Sequence, residues 1–332
     1  MTVAGDVTVP GDVTSSRGFP VVDASAPAER LAMLRILTGT FALLYLLVRL
    51  PVFLQLGDRR SGFDGVGVAV VLDRPVSGVV VDVVVAVTLV AGVSFVSGWR
   101  FRFGGPVFAL GMLALASYRG SWGQLLHFEN LMVLYLVIIA LSPAADAWSV
   151  DARRRGDSGR RDDGRMGPAC CGSVAYGFPI ALTSLVLVIT YVIAGLAKVR
   201  YGGLEWVVGD TLRNHVAYAA ARLELLGGSP SPLAGWAVGL DGIWPLVAAG
   251  TIVVELAAPV ALVGGRIRTV WVAAAWLIHL GVLAFMLIGF PFPLLLVAFA
   301  PLYRVERLWT DRPHWLRRSS DQRLDRAASA TR

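Results

Sequence analysis

Lysine is almost missing from this chain: 29 of its 30 basic residues are arginine, and the exception, Lys198, closes an apolar run from Val174 to Val199. Cysteine is nearly as scarce. Cys170 and Cys171 are the only two, and adjacent cysteines rarely bond to each other, so neither a disulfide framework nor a cysteine metal site follows. Two ordinary loop thiols are the plain reading and a vicinal redox pair the other. Charged residues make up only 16% of the chain against 56% apolar, which excludes an ordinary soluble domain. Metal-ligand spacings, a phosphate-binding glycine loop and a serine-nucleophile elbow are also missing, and Gly65-Val-Gly67 lacks the context of a nucleotide fold. No cleavable signal peptide is evident, because a long polar stretch precedes the first strong apolar segment, which itself holds Arg35 and Arg49.

What the chain does have is apolar length. Eight runs approach the roughly 17 to 25 residues of a membrane-spanning helix: Leu31 to Leu56, Val76 to Gly98, Phe103 to Tyr118, Leu125 to Leu141, Val174 to Val199, Trp244 to Gly264, Val270 to Ile288 and Phe290 to Tyr303. The third and last are short. Pro291, Pro293 and Pro301 predict that the last is tilted, broken or only partly inserted. The expected fold is all-α, a polytopic membrane bundle of about eight transmembrane helices. Residues 1–30 are expected to form a disordered cytoplasmic segment, 31–303 the transmembrane domain and 304–332 a basic cytoplasmic tail.

Arginine placement orients this bundle. With both termini cytoplasmic, 20 of the basic residues fall inside and eight outside, leaving Arg35 and Arg49 within the first span. Lys198 then faces the extracytoplasmic side. A net charge of +7 marks topology on this reading, and no nucleic-acid partner is expected. Asp151 to Gly167 mixes both charges with glycine and predicts a flexible cytoplasmic loop. The tail, with Trp309 and Trp315, suits the cytoplasmic headgroup layer. Tyr201 to Ile243 is the largest outer segment. Within it, Asp210 is placed to cap an amphipathic helix whose apolar face carries Leu212, Val216, Ala219, Ala220 and Leu223, and which Gly227, Gly228, Pro230 and Pro232 terminate.

Lys198 is the leading candidate for chemistry. A desolvated lysine can serve as a base or nucleophile near neutrality, which arginine cannot; the competing role is a snorkelling cation at the membrane edge. Tyr191 and Gly195 share a helix face with it, and the glycine either admits a ligand or permits tight helix packing. His127, Asn130 and Leu134 share a face of the fourth run, with Glu129 beside them, and His127 could exchange a proton with a ligand at the depth of Lys198. An interfacial histidine with a water partner is the alternative. Glu255 and His279 lie deep in apolar runs, where polar side chains usually pair, and they are expected to bond to each other as a structural clamp. Asp82 and Arg35 form a similar candidate pair.

The block Tyr191-Val-Ile-Ala-Gly-Leu-Ala-Lys198, followed by Glu205-Trp206-Val-Val-Gly209-Asp210, Val254-Glu255-Leu-Ala-Ala-Pro259 and His279-Leu-Gly281, resembles the HTTM-domain proteins. These are bacterial relatives of the membrane part of vitamin K-dependent gamma-carboxylase. With the upstream His127-Phe-Glu-Asn130-Leu block, the resemblance covers most of Leu31 to Tyr303. It implies that Lys198 is the base that deprotonates a reduced quinone and that His127 assists it. The carboxylase acts on its lumenal side, in line with the outer placement of Lys198. Two departures matter: Ala197 stands where the carboxylase has a second lysine, and nothing after Tyr303 corresponds to its large lumenal substrate domain.

The expected protein is therefore a multi-pass HTTM protein of the bacterial cell membrane with an outer pocket around Lys198 and His127, lined by Tyr191, Gly195, Asn130 and Trp206. Its expected ligand is a lipid-soluble quinol of the vitamin K or menaquinol type, with no metal. The expected enzymatic form is a carboxylase-like or quinol epoxidase-like oxygenase. Two other classes stand beside it. One is a non-catalytic membrane factor that assists the maturation or export of a partner protein or peptide. The other is a small-molecule transporter using Asp82, Glu255 and His279, although no inverted repeat is evident.

Overall fold

The computed structural model of the chain describes residues 25–59, 61–123, 129–159 and 172–310. Every regular element in them is helical. Four long helices build the first part of the bundle: α1 (Ala28–Val48), α3 (Gly78–Ser97), α4 (Phe101–Gly120) and α7 (Val174–Ala197). Between them come the short α2 (Leu50–Gln55), α5 (Asn130–Ala140) and α6 (Val150–Gly159). Beyond α7 a cap of α8 (Glu205–Val208), α9 (Thr211–Leu225) and α10 (Pro232–Val238) leads into α11 (Trp244–Leu256), α12 (Gly265–Met286), α13 (Pro291–Leu294) and α14 (Arg307–Thr310). Five helical segments, those of α1, α3, α4, α7 with its C-terminal extension, and α12, are long and apolar enough to cross a membrane. This is the architecture of a multi-pass helical membrane protein. The apolar helices α5 and α11 are shorter, at 11 and 13 residues.

Helix ends explain where the observed elements depart from the apolar runs. The third run lengthens to Phe101–Gly120 because the Asp151 carboxylate accepts the backbone N–H groups of Arg100 and Phe101, at 3.0 Å each, satisfying donors that a helix start leaves open. Asp151 itself belongs to α6, so the first part of the expected flexible loop is helical. Residues 160–171, with both cysteines, lie outside the described residues, as do 1–24 and 311–332.

The final run is not one helix. Proline lacks a backbone donor, and the chain breaks into α13 and a 3-10 turn, Val297–Leu302, with Leu296 at φ 62°. Pro259 similarly follows α11, which gives way to a 3-10 turn at Ala258–Leu262. Backbone freed from helical bonding inside an apolar bundle must find partners within the protein, and buried or partly buried side chains supply them. Tyr135 Oη donates to Ala298 O at 2.8 Å, Trp276 Nε1 to Leu294 O at 3.0 Å and Trp271 Nε1 to Val254 O at 2.8 Å. Arg268 bridges both 3-10 turns, its Nε donating to Ala261 O at 3.0 Å and its Nη1 to Leu302 O.

The expected Arg35–Asp82 pair does not form. Arg35 is fully buried, donates from Nη2 to Trp148 O at 2.7 Å and lies over the Phe101 ring. Asp82 is exposed near the start of α3, whereas Arg35 packs against Gly98 just beyond the end of that helix. The two belong to opposite ends of the bundle. Gly98 has φ 66°, and a Cβ there would stand 1.9 Å from Arg35 Nη1, so this close approach requires glycine.

The cap packs on a small core separate from the main one: Val216, Ala234 and Ala237 of the cap with Trp244 at the start of α11, and Phe285 and Met286 of α12 against them. Val216 and Ala219 are buried, as the amphipathic reading of α9 requires. Asp210 occupies the N-cap position, but its side chain makes no capping bond and instead lies 3.8 Å from Arg213 Nη1. At the other end Gly227, at φ 77°, lets the Gly228 N–H reach Leu223 O at 2.8 Å and stop the helix. Ser231 Oγ ties the cap to α12 by donating to Ala284 O at 2.5 Å.

Candidate functional site

At Lys198 the tight ladder of α7 widens into a π-helical turn, Lys198–Gly202, a distortion often found at functional positions. The side chain turns toward α11, where Nζ donates to both carboxylate oxygens of Glu255 at 2.6 and 2.7 Å. The pair is largely shielded: 22% of the lysine side chain and 10% of the glutamate side chain remain exposed. The ammonium also lies 5.4 Å from the centre of the Trp206 ring, within range of a cation–π contact.

Two helical turns earlier on α7, Tyr191 Oη and His279 Nε2 of α12 share a hydrogen bond of 2.7 Å. Glu255 and His279 therefore do not pair with each other, contrary to expectation. Each takes a partner from α7, and because Tyr191 and Lys198 are seven residues apart, the two pairs sit about 10 Å apart along the helix. Among the described residues, the buried atoms His279 Nδ1 and Trp206 Nε1 have no hydrogen-bond partner.

These groups border a cavity of about 420 Å³. Thr190 and Ala194 of α7, Thr251 of α11, Ile278 and Val282 of α12 and Phe292 of α13 supply much of its wall, and His215 of α9 reaches it from the cap. Polar chemistry on this largely apolar lining is concentrated in Lys198, Glu255, Tyr191 and His279. The Lys198–Glu255 pair can hold a proton on either Nζ or a carboxylate oxygen. His279 Nδ1 can donate or accept according to its tautomer.

Tyr191, Lys198 and Trp206 all line the cavity. Gly195 does not; its missing side chain admits α11, since a Cβ there would stand 2.9 Å from Leu256 Cδ2 and 3.1 Å from Glu255 Cβ. The glycine thus sets the helix spacing that brings Glu255 to Lys198. Gly195→Ala is expected to cost roughly 1–3 kcal/mol through overpacking and to lengthen the Lys198–Glu255 contact. Thermal unfolding, with crosslinking between cysteines placed on α7 and α11, checks both effects. Asn130 is exposed at the start of α5, and the next residue, Leu131, is the one that reaches the cavity. His127 lies outside the described residues.

A second polar centre had only Glu129 as its sign in the sequence. Glu129 is 2% exposed, and its Oε1 accepts hydrogen bonds from Tyr45 Oη of α1 and Arg119 Nη1 of α4. Arg119 Nη1 also donates to Tyr45 Oη at 2.8 Å. The Lys198–Glu255 contact had a clearer signal: Glu255 is the one acidic residue between Asp241 and Glu306, and Lys198 is the one cation between Val174 and Val199. Among the described residues, no group of three or more His, Cys, Asp or Glu side chains is placed to hold a metal ion. No protein-family model, curated protein or solved structure matches this chain.

Proposed function

We propose that the cavity beside Lys198 binds a lipid-soluble small molecule with a hydroxyl-bearing aromatic head, a reduced quinone of the vitamin K or menaquinol type, and that Lys198 with Glu255 moves a proton there. The single observation that carries this reading is the grouping of Lys198, Glu255, Tyr191 and His279 on an otherwise apolar cavity. Apolar walls with a few convergent polar groups are the usual form of a small-molecule site. The unpartnered His279 Nδ1 and Trp206 Nε1 fit a head with hydroxyl groups. Such a ligand, when bound, supplies an acidic hydroxyl and two-electron redox capacity.

Glu255 changes how Lys198 would act. Its carboxylate, 2.6 Å from Nζ, is the acceptor to which the ammonium can pass a proton. The amine left behind can take another proton from the cavity side, so the base is the pair and not an isolated amine. Trp206 of the cap covers part of the ammonium, and Tyr191 orients His279. This reading places the site on the extracytoplasmic side of a bacterial cell membrane, with about eight crossings, both termini cytoplasmic and the relationship to HTTM proteins as its frame.

The same ion pair supports a second reading, in which Lys198 stays charged and the cavity binds without catalysing, within a factor that assists an exported peptide. Lys198→Arg separates the two. Purified protein in lipid nanodiscs is expected to retain menaquinol and to consume it with O₂. The arginine variant should still bind but turn over at least about 100-fold more slowly, the scale of a lost general base. Retention without turnover in the parent protein establishes the second reading, and failure to retain any quinol removes both the quinol and its chemistry.

A further inference from the structure

At the end of the bundle where α7 finishes, α3 and α4 part. Nearer their other ends they touch without room for a side chain: a Cβ on Gly104 would stand 1.9 Å from Ser94 Oγ, and one on Gly111 2.2 Å from Thr88 Oγ1. Past this contact Val80, Val81 and Val84 of α3 face Ala114, Leu115 and Tyr118 of α4 across an apolar cleft of about 190 Å³. The 3-10 turn Gly67–Val71 roofs it. Two serines on and just beyond α4 hold this roof down. Asp64 N–H donates to Ser121 O at 2.8 Å, Val66 N–H to Ser121 Oγ at 3.2 Å and Val68 N–H to Ser117 Oγ at 3.4 Å.

We propose that this cleft is a binding site for one acyl chain of a membrane phospholipid. Its size suits a segment of a single chain: an apolar cavity of roughly 150 Å³ already takes a benzene-sized molecule and stays free of water. The cleft is also continuous with exposed apolar surface on a helix long and apolar enough to cross a membrane. Val79 and Val83 of α3 are 72% and 56% exposed, and Val70 and Val71 of the roof 67% and 79%. A polar headgroup has a partner at the rim, because the exposed Arg74 lies between Leu72 and Val76, both of which line the cleft. The site is separate from the Lys198 cavity and shares none of its lining residues.

The test uses the full chain in nanodiscs containing a phospholipid with a diazirine midway along one chain. Photolysis followed by peptide mapping should concentrate adducts on residues 68–84 and 114–118, above those on the exposed face of α3 beyond Val87. Ala114→Phe, which fills the cleft, should reduce cleft adducts about tenfold, the affinity lost when roughly two methylenes go unburied, and leave the others unchanged. Val84→Phe obstructs it from the opposite wall and carries the same expectation should the first variant fail to fold. Adducts no denser in the cleft than along exposed α3, or cleft adducts that persist in a folded filled variant, overturn the site.

Discussion

Lys198→Ala is expected to lower stability by about 3 kcal/mol, towards the lower end of the range for removing one partner of a buried ion pair. The loss comes chiefly from Glu255, whose side chain is 10% exposed and would be left in apolar surroundings without its counter-ion, having either to hold an unpaired charge or to take up a proton. The lysine end is less costly because 22% of its side chain still meets the surface. Glu255→Leu combined with Lys198→Met should recover most of the loss, since a well-packed apolar pair of similar volume is often as stable as the ions it replaces. Reversible unfolding in mixed detergent, run as a double-mutant cycle, measures the coupling. A single alanine variant as stable as the parent protein would show that Glu255 is reached by water or takes a proton in place of the ammonium, and that the ion pair contributes nothing to the fold.

Arg119→Ala should be at least as damaging, about 3–5 kcal/mol. Glu129 is more deeply buried than Glu255, and among the described residues removal of the guanidinium leaves only Tyr45 bonded to its Oε1. Its second oxygen, Oε2, is buried and already without a hydrogen-bond partner among the described residues. Arg119→Lys should recover only part of the loss, because one ammonium cannot reproduce the fixed fork of a guanidinium. The same unfolding assay orders the three proteins. An alanine variant within 1 kcal/mol of the parent, a margin far below that range, would mean that Glu129 gains a proton or a new partner instead of staying stranded.

Helix length and breaks were readable in the chain; rotation and distant partners were not. The valine-rich run Val76 to Gly98 appears as Gly78–Ser97 because hydropathy alone marks its length. The true start of α4 depends on Asp151, some fifty residues away, and no local pattern reports a cap from that distance. Prolines foretold that the final segment breaks, yet not that Tyr135, Arg268 and Trp276 would take up its carbonyls. In the site, the place of Glu255 and His279 on apolar helices was legible, while their partners depended on which faces α11 and α12 turn toward α7. Gly195 was open to two roles, ligand access and helix contact, and the approach of Leu256 selects the second.

The cap's small core changes how the cavity can be reached. Val216, Ala234 and Ala237 of the cap cohere with Trp244, the first residue of α11, and rest on the last turn of α12, apart from the packing that holds the long helices together. Loosening that patch is a local event whose free energy is set by a few side chains, not by the whole fold. His215 rides on the cap while Lys198 and Glu255 belong to α7 and to the end of α11 far from Trp244, so the cap wall can yield while the wall that carries the proton pair moves little.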